Sequence, residues 1–409
     1  MIHATPLVPL LVSFALLGAT ACRTTPKVKA DTDFYRRIQA ELIRAKSGDV
    51  VELPEGKFVL DRSLTSVASG ITIRGKGMDR TVLSFQAQEQ GAEGLSIKGD
   101  RVTLEDFAVE DARGDAIKVT GSDGLVIRRV RTEWTRGPNT GNGAYGIYPV
   151  TCRNVLIEGS VAIGASDTGI YVGQSQNVVI RRNRALKNVA GIESENSQLV
   201  EIHDNVVTDN AGGILVFDLP DLPVQGSTKV RVFNNQVAHN NIDNFAPSGN
   251  IVASVPSGTG VLVMASDDVE VFENDVSDHR TLNMAVVSFF VLNRPVKDTR
   301  FDPFSERVHV HHNRFKGGGD APTGLLISAL TLKLGSPLPD IFYDGVVNKK
   351  KLRPDGSVPE DLRLCVHDNG DADFVNADAP HNFERVDRDV THFACEHPSL
   401  APVTLVGIQ

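Results

Sequence analysis

The sequence predicts an all-β solenoid, in which short strands stack in successive coils. A phrase of glycine followed by apolar residues begins at Gly169, Gly191 and Gly213, which are 22 residues apart. Between these positions runs a second alternating phrase that ends in asparagine, at Asn183 and Asn205. Alternation of apolar and polar residues indicates a strand, and a fixed period of about 20–50 residues indicates stacked repeats.

Both phrases can be followed along most of the chain. The apolar phrase has further copies at 117–119, 147–149, 261–263 and 325–327. Because asparagine tolerates the left-handed conformation of turns and stacked amides can bond to one another, we interpret the recurring asparagines as a packing ladder. The spacing predicts about nine coils. The ladder asparagines are Asn183, Asn205, Asn235, Asn274, Asn313 and Asn369.

The segment before the repeats has the pattern of a capping helix. Either Thr32 or Asp33 could cap its first turn. Such a helix would cover the apolar end and the unpaired strand edges of the first coil. Four apolar residues of the segment 32–46 fall on one helical face: Phe34, Ile38, Leu42 and Ala45.

The period, the strand phrases and the asparagine ladder together resemble the right-handed parallel β-helix of the pectate-lyase-like superfold, over residues 34–330. Within that superfold the chain looks like exported bacterial β-helix repeat lipoproteins of unassigned role. The resemblance implies a single-stranded solenoid over 32–334 with an N-terminal capping α-helix. Residues 335–409 are expected to form an irregular C-terminal cap.

The N-terminal residues have the pattern of an export signal. The apolar run 7–21 is too short to cross a membrane and is followed by Cys22. Residues 19–22 resemble a bacterial lipobox, which implies a signal peptide over 1–21, acylation of Cys22 and a tether over 22–31. Cleavage by ordinary signal peptidase and soluble export is the alternative. Because Arg23 rather than aspartate follows the cysteine, resemblance to enterobacterial sorting favours the outer membrane, facing the periplasm or the cell surface.

Charge and cysteine content limit the partners. The net charge is −9, with acidic and basic residues mixed, which argues against a nucleic-acid partner. We expect a monomer that meets the membrane only through its lipid anchor and binds a polysaccharide or another envelope component. In an oxidising compartment, Cys365 and Cys395 are the expected disulfide and Cys152 a buried thiol.

Strand alternation predicts one polar column on the outside of the coils. The residues that follow the inward isoleucines are Lys118, Tyr148, Tyr171 and Glu193, which at about 4.8 Å a coil would span about 14 Å. Such a length suits a few sugar rings. Candidate catalytic residues are therefore Lys118, Tyr148, Tyr171, Glu193, Glu195 and Asp167. The insertion 131–144 supplies a wall beside this column, so the candidate substrate-binding residues are Trp134, Tyr145 and Asp115.

Three interpretations of this column remain open: two kinds of catalysis, and a surface without catalytic function. Glycoside hydrolysis needs two carboxyl groups, which Glu193 could form with Glu195 or Asp167. Elimination or epimerisation of a uronate needs a base and a cation, for which a tyrosine of lowered pKa beside Lys118 could serve. The NTD…DD…GHG motif of polygalacturonases and the DPHD motif of mannuronan epimerases are absent. Lysine, tyrosine and glutamate on outward strand positions are also ordinary solvated residues.

The sequence leaves three functions open. The first is an exported protein that binds or modifies a polysaccharide as a lyase, epimerase or hydrolase. The second is a non-enzymatic envelope scaffold that binds a protein through an apolar continuation of the column, at Leu215, Phe217, Leu262 and Met264. The third is copper handling of the NosD type through His309 and His311, which share a strand face. No cofactor is required by these patterns, although Asp267 and Asp268 lie in a turn that could bind calcium.

Overall fold

A computed structural model describes residues 28–408 of the chain. Its strands form three parallel sheets, and each coil except the last contributes a strand to each sheet in turn. The predicted signal peptide, Cys22 and most of the tether lie outside the described residues. Neither helix of the described part is long and apolar enough to cross a membrane.

The three sheets are named here in the order in which a coil visits them. The first sheet has eleven strands: Val50–Glu52, Thr72–Arg74, Thr103–Glu105, Asp123–Arg128, Arg153–Glu158, Gln176–Arg181, Gln198–His203, Thr228–Phe233, Asp267–Phe272, Val308–His311 and Cys365–His367. The second sheet has ten: Gly56–Val59, Thr81–Ser84, Ala108–Glu110, Arg131–Glu133, Val161–Ile163, Arg184–Leu186, Val206–Thr208, Gln236–Ala238, Asp275–Ser277 and Arg314–Lys316. The third sheet has eleven: Arg62–Ser66, Gln90–Ile97, Ile117–Thr120, Tyr145–Val150, Thr168–Gly173, Ala190–Glu195, Gly212–Phe217, Thr259–Met264, Leu282–Val287, Ile341–Tyr343 and Phe374–Asn376.

The recurring apolar phrase marks equivalent positions of the third sheet, as predicted. Ile147 pairs with Ile117 below and Ile170 above, and Ile192 and Ile214 continue the column. These side chains are fully buried in the core that runs through the coils. β-Branched residues fit this position because they pack well on a pleated surface.

The N-terminal helix spans Thr32–Arg44 and buries Phe34, Ile38 and Leu42 against the first coil, as predicted. The predicted capping residue is wrong. The N-cap is Asp31, which makes no side-chain cap and accepts a hydrogen bond from the Val59 backbone N–H. The helix end is thus tied to the coil that it covers.

The asparagine ladder is confirmed as a packing device. Each side-chain amide donates to the asparagine of the next coil, as Asn183 does to Asn205 at 3.1 Å and Asn205 to Asn235 at 2.9 Å. The proposed backbone reason is wrong, because positive φ falls on the residue before each ladder asparagine, such as Arg182 and Asp204. A second ladder escaped the sequence analysis, and it comprises Asn188, Asn210, Asn240 and, at its end, His279.

The solenoid continues beyond its predicted end. Residues 325–327, expected to be a strand of the repeat, begin the helix Leu325–Leu334. The next strand of the third sheet is Ile341–Tyr343, and it is followed by Phe374–Asn376. The longest sheets therefore have eleven strands rather than the expected nine, and coils extend into the region predicted to be irregular.

Short 3₁₀ helices and a disulfide complete the connections and the C-terminal part. Cys365 and Cys395 form the disulfide, and Cys152 is a buried free thiol. The last residues then run back along the outside of the first sheet, where Val403, Leu405 and Ile408 cover three exterior aliphatic residues. The 3₁₀ segments are Val252–Ser254, Phe289–Leu292, Glu360–Leu362, Ala379–His381 and Val390–Phe393.

Candidate functional site

The predicted polar column lies on the outer face of the third sheet. Tyr148 is the partner of Lys118 in the parallel register, and Glu193 is the partner of Tyr171 below and Leu215 above. The rings of Tyr148 and Tyr171 lie 5.0 Å apart between centroids. Residues that are distant in the sequence are therefore vertical neighbours, as the repeat predicts.

Three tyrosines form an aromatic group at the lower end of the column. The ring centroid of Tyr145 lies 4.3 Å from that of Tyr148 and 4.7 Å from that of Tyr171. Lys118 Nζ lies 5.0 Å from the Tyr148 centroid, a distance at which a cation is attracted to the ring. The ammonium also lies 3.5 Å from Asp115 and 3.6 Å from Glu93. Lys118 is thus matched by two carboxylates.

Three carboxyl groups meet above the tyrosines. The Thr168 hydroxyl lies 2.5 Å from Glu193 Oε2 and 3.2 Å from Asp167 Oδ1. The Tyr171 hydroxyl donates to Glu195 Oε1 at 2.7 Å, and the amide of Asn250 donates to Asp167 Oδ2 at 3.2 Å. A hydroxyl has one hydrogen, so the two contacts of Thr168 are both hydrogen bonds only when Glu193 or Asp167 is protonated.

Burial raises the pKa of all three carboxyl groups. It raises the pKa of Asp167 to about 6 and that of Glu195 to about 7, although hydrogen bonds oppose the shift. The pKa of Glu193 is raised well above its usual value by burial and by the charges of Glu195 and Asp167. Burial and these charges therefore favour the protonated form of Glu193, the closer of the two carboxyl groups to the Thr168 hydroxyl.

The tyrosines do not become bases. Burial raises the pKa of Tyr148 to about 12, and it raises the pKa of Tyr145 and Tyr171 well above the usual range. Nearby carboxylates act in the same direction because they disfavour a phenolate. The expected lowering of a tyrosine pKa is therefore wrong.

Exposure divides the column into accessible and inaccessible residues. Asp167, Tyr171 and Glu193 are buried, with 6%, 3% and 3% of their surface exposed. Glu195 is partly exposed, and so are four residues near the lower end: Lys118, Asp115, Tyr145 and Tyr148. Glu195 is the one carboxyl of the three that a ligand can reach directly, while Glu193 can act on it only through its neighbours.

Trp134 does not line the site. It is 4% exposed, packs in the core of the coils, and donates its indole N–H to the backbone carbonyl of Ala112 at 2.7 Å. The expectation that it binds substrate is wrong, because the first residues of the predicted insertion, Arg131–Glu133, form a strand of the second sheet, and the Trp134 side chain that follows packs in the core. The insertion that reaches the polar column is instead the one at 240–259, which supplies Asn250.

The apolar continuation of the column is covered. Leu215, Phe217, Leu262 and Met264 belong to a second apolar cluster, which includes residues of the insertions and of the helix Leu325–Leu334. All four are at most 9% exposed. Phe217, Leu262 and Met264 line a groove of roughly 1220 Å³ beneath these segments. These side chains therefore do not form an open surface, and binding of a protein partner through them stays a prediction.

A lysine side chain already pairs with two of the carboxylates beside the turn that was expected to bind calcium. Asp267 lies close to Asp302 and Glu306, and their oxygens could surround an ion. Lys351 Nζ already contacts Asp302 at 3.1 Å and also contacts Glu306. An ammonium thus supplies the positive charge that these two carboxylates need.

Three parallel sheets, an inward asparagine ladder and a helical cap define this chain as a right-handed parallel β-helix protein. Residues 69–229 match the family model described as right handed beta helix region. No curated protein matches the sequence.

Two solved structures are similar to this chain. The AlgE4 A-module, a mannuronan C-5 epimerase of Azotobacter vinelandii, has a TM-score of 0.55 and 16% identity, with 78% of this chain and 88% of that chain covered. DFA-IIIase of Arthrobacter chlorophenolicus A6 without its lid has a TM-score of 0.49 and 11% identity, with 80% of this chain and 90% of that chain covered. At 16% identity, the likeness to the AlgE4 A-module shows the fold alone.

Proposed function

We propose that the outer face of the third sheet binds a polysaccharide and that Glu195 is its acid–base group. The observation that carries this proposal is the position of Glu195 at the accessible edge of a buried carboxyl cluster, with a pKa of about 7. A general acid or base works best when its pKa lies near the operating pH. The shared fold with a mannuronan epimerase module supports a polysaccharide as the ligand.

The accessible end of the column suits a sugar chain. Tyr145 and Tyr148 present partly exposed rings with hydroxyl groups, and Lys118 and Asp115 supply polar groups beside them. Apolar faces with a few fixed polar groups are typical of small-molecule and carbohydrate-sized sites. The sugar ring to be modified would then lie against Glu195.

The charges favour hydrolysis of a neutral glycan over reaction of a uronate. Lys118 is the cation of the column, and Glu93 and Asp115 already neutralise it. A uronate would add its carboxylate beside Asp167 and Glu195, which like-charge repulsion disfavours. Elimination and epimerisation also need a base at the sugar, and the tyrosine pKa values are raised rather than lowered.

In hydrolysis, neutral Glu195 would donate its proton to the glycosidic oxygen as the bond to the anomeric carbon breaks. Asp167, with a pKa of about 6, would be ionised at neutral pH and stabilise the positive charge that develops on the sugar. Water then adds to the anomeric carbon, and its proton returns to Glu195. Thr168 and Tyr171 position Asp167 and Glu195 through hydrogen bonds, and both bonds favour the ionised carboxylate.

A panel of neutral and uronate glycans, incubated with the full-length protein, tests the proposal. New reducing ends without an unsaturated product are expected from a neutral glycan. Glu195→Gln should lower this rate at least 100-fold, whereas the control Glu158→Gln, an outward glutamate of the first sheet, should not. Absence of both reaction and retention on every glycan contradicts the proposal. A stoichiometric protein partner that Glu195→Gln does not affect would favour the scaffold.

A further inference from the structure

Histidines gather on the outside of the first sheet, away from the column of the third sheet. In the parallel register, His309 is the partner of Glu270 below and Cys365 above. His311 is the partner of Phe272 below and His367 above. Three consecutive coils thus bring four possible ligands together, namely Glu270, His309, His311 and His367.

The nitrogen and oxygen atoms of these four side chains lie close to one another. Ligand atoms of Glu270, His309 and His311 all lie within 4.8 Å of one another. His309 Nε2 lies 2.8 Å from His367 Nε2, and His311 Nε2 lies 3.3 Å from Glu270 Oε1. Around a tetrahedral zinc ion with bonds of about 2.0–2.1 Å, neighbouring ligand atoms lie about 3.3 Å apart. Glu270, His309 and His311 are therefore close enough to share one ion, and His367 is next to this group through its contact with His309.

His367 has the hydrogen bond that orients a metal ligand. Its Nδ1 lies 2.9 Å from a carboxylate oxygen of Asp368, so Nδ1 carries the hydrogen and donates it. The Nε2 lone pair then points towards His309. A carboxylate behind the second ring nitrogen is the usual arrangement of a metal-binding histidine.

His309 is buried without the partners that a purely structural histidine needs. It is 6% exposed, and its Nδ1 has no hydrogen-bonding partner among residues 28–408. An unpaired buried polar atom is costly, and no group in the described part of the chain offsets this cost.

The other side chains around this group do not occupy the nitrogen and oxygen atoms that would bind the ion. Glu270 Oε2 accepts the Leu400 backbone N–H and lies 3.5 Å from Arg231, so Oε1 is the oxygen that faces the histidines. His397 bonds to the Arg363 carbonyl oxygen and lies edge-on to His309. His312 contacts His311 through Nδ1, which leaves His311 Nε2 directed at Glu270.

We propose that Glu270, His309, His311 and His367 form a binding site for a divalent transition-metal ion, with zinc or copper as the expected class. Three imidazoles and one carboxylate are ligands that such ions prefer over calcium or magnesium. Partial exposure of His311 and His367 gives an entry path, with 13% and 17% of their side chains exposed. This site is separate from the proposed glycan site, and either can exist without the other.

Equilibrium dialysis of the chelator-treated full-length protein against Zn²⁺ or Cu²⁺, with elemental analysis, tests the proposal. One ion per chain is expected. His311→Ala and His367→Ala should each weaken binding at least tenfold, and Asp368→Asn should weaken it about tenfold while the stoichiometry stays at one. His239→Ala, a matched exposed histidine beside Asp278, should bind like the wild type.

A Co²⁺ spectrum gives a second readout, because four-coordinate nitrogen and oxygen ligation produces intense visible bands. These bands should appear in the wild type and be lost in His367→Ala, and circular dichroism should show that the variant is folded. Three results would overturn the site: no stoichiometric binding, equal binding by the His311→Ala, His367→Ala double variant, or equal loss in His239→Ala.

Discussion

The hydroxyl of Tyr171 donates to Glu195 Oε1 at 2.7 Å from the neighbouring strand of the third sheet. Glu195 is two residues beyond Glu193 on one strand, yet it alone of the carboxyl cluster is partly exposed. The hydrogen bond from Tyr171 favours the ionised form of Glu195 and opposes the effect of burial on its pKa. The pair therefore sets the protonation state of the proposed acid–base group.

Glycan hydrolysis should depend on pH through these two carboxyl groups. The rate should rise as Asp167 ionises above about pH 6 and fall as Glu195 loses its proton above about pH 7. Tyr171→Phe removes a hydrogen bond that lowers the pKa of Glu195, so the alkaline limb should move to higher pH. The measurement is kcat/KM against pH, with Tyr35→Phe near the N-terminal cap as control. An unchanged alkaline limb in Tyr171→Phe would contradict this assignment.

The buried carboxyl Glu193 should make the fold less stable at alkaline pH. The pKa of Glu193 is raised in the folded chain, whereas in the unfolded chain it has the ordinary value of about 4.3. Above that pH the folded state therefore binds more protons than the unfolded chain. Stability from this group is present below that pH and is lost as the pH rises towards the folded pKa. Glu193→Gln keeps the shape and removes the titration. Its urea midpoint should exceed that of the wild type at pH 8 and approach it at pH 5.

Glu158→Gln is the control for this experiment, because Glu158 is partly exposed and pairs with Arg181 on the first sheet. Its free energy of unfolding should follow that of the wild type at both pH values within about 0.5 kcal/mol. If Glu193→Gln is equally destabilised at pH 5 and pH 8, the carboxyl does not titrate as the structure implies.

The asparagine ladder should contribute strongly to stability. Asn205 donates to Asn235 and to the Ile180 carbonyl oxygen, and it accepts from Asn183, all in the core. Asn205→Ala leaves buried groups on the adjacent coils without partners, at about 1–3 kcal/mol each. We expect a loss of about 3 kcal/mol in the free energy of unfolding, measured in urea. Asn139→Ala, on an exposed turn, should cost less than about 0.5 kcal/mol, and a loss that small at Asn205 would argue against the ladder.

Acylation of Cys22 stays a prediction, since this residue lies outside the described part of the chain. In a bacterial host given labelled palmitate, the wild type should take up the label and partition with membranes. Cys22→Ser should lose both properties. Cys152→Ser is the matched control, because Cys152 is a buried thiol that cannot be acylated without unfolding. Label retained in Cys22→Ser would exclude the lipoprotein assignment.

The sequence by itself determined which residues are vertical neighbours. A 22-residue period and strict alternation identify the inward isoleucines, the asparagine ladder and the outward order Lys118, Tyr148, Tyr171 and Glu193. These features are local, because each coil pairs only with the next one and the same small pattern must repeat.

Only the tertiary structure decided what covers the outside of the coils. Asn250 reaches Asp167 across 83 residues, and His367 reaches His309 across 58. Insertions between strands follow no period, so their packing over Leu215 or beside Glu193 cannot be predicted from alternation. Alternation shows which side chains point into the coils and which point out. It does not show which outward side chains are buried, because that depends on where the aperiodic segments fold back. Burial in turn decides the pKa of each carboxyl group and the access to each histidine.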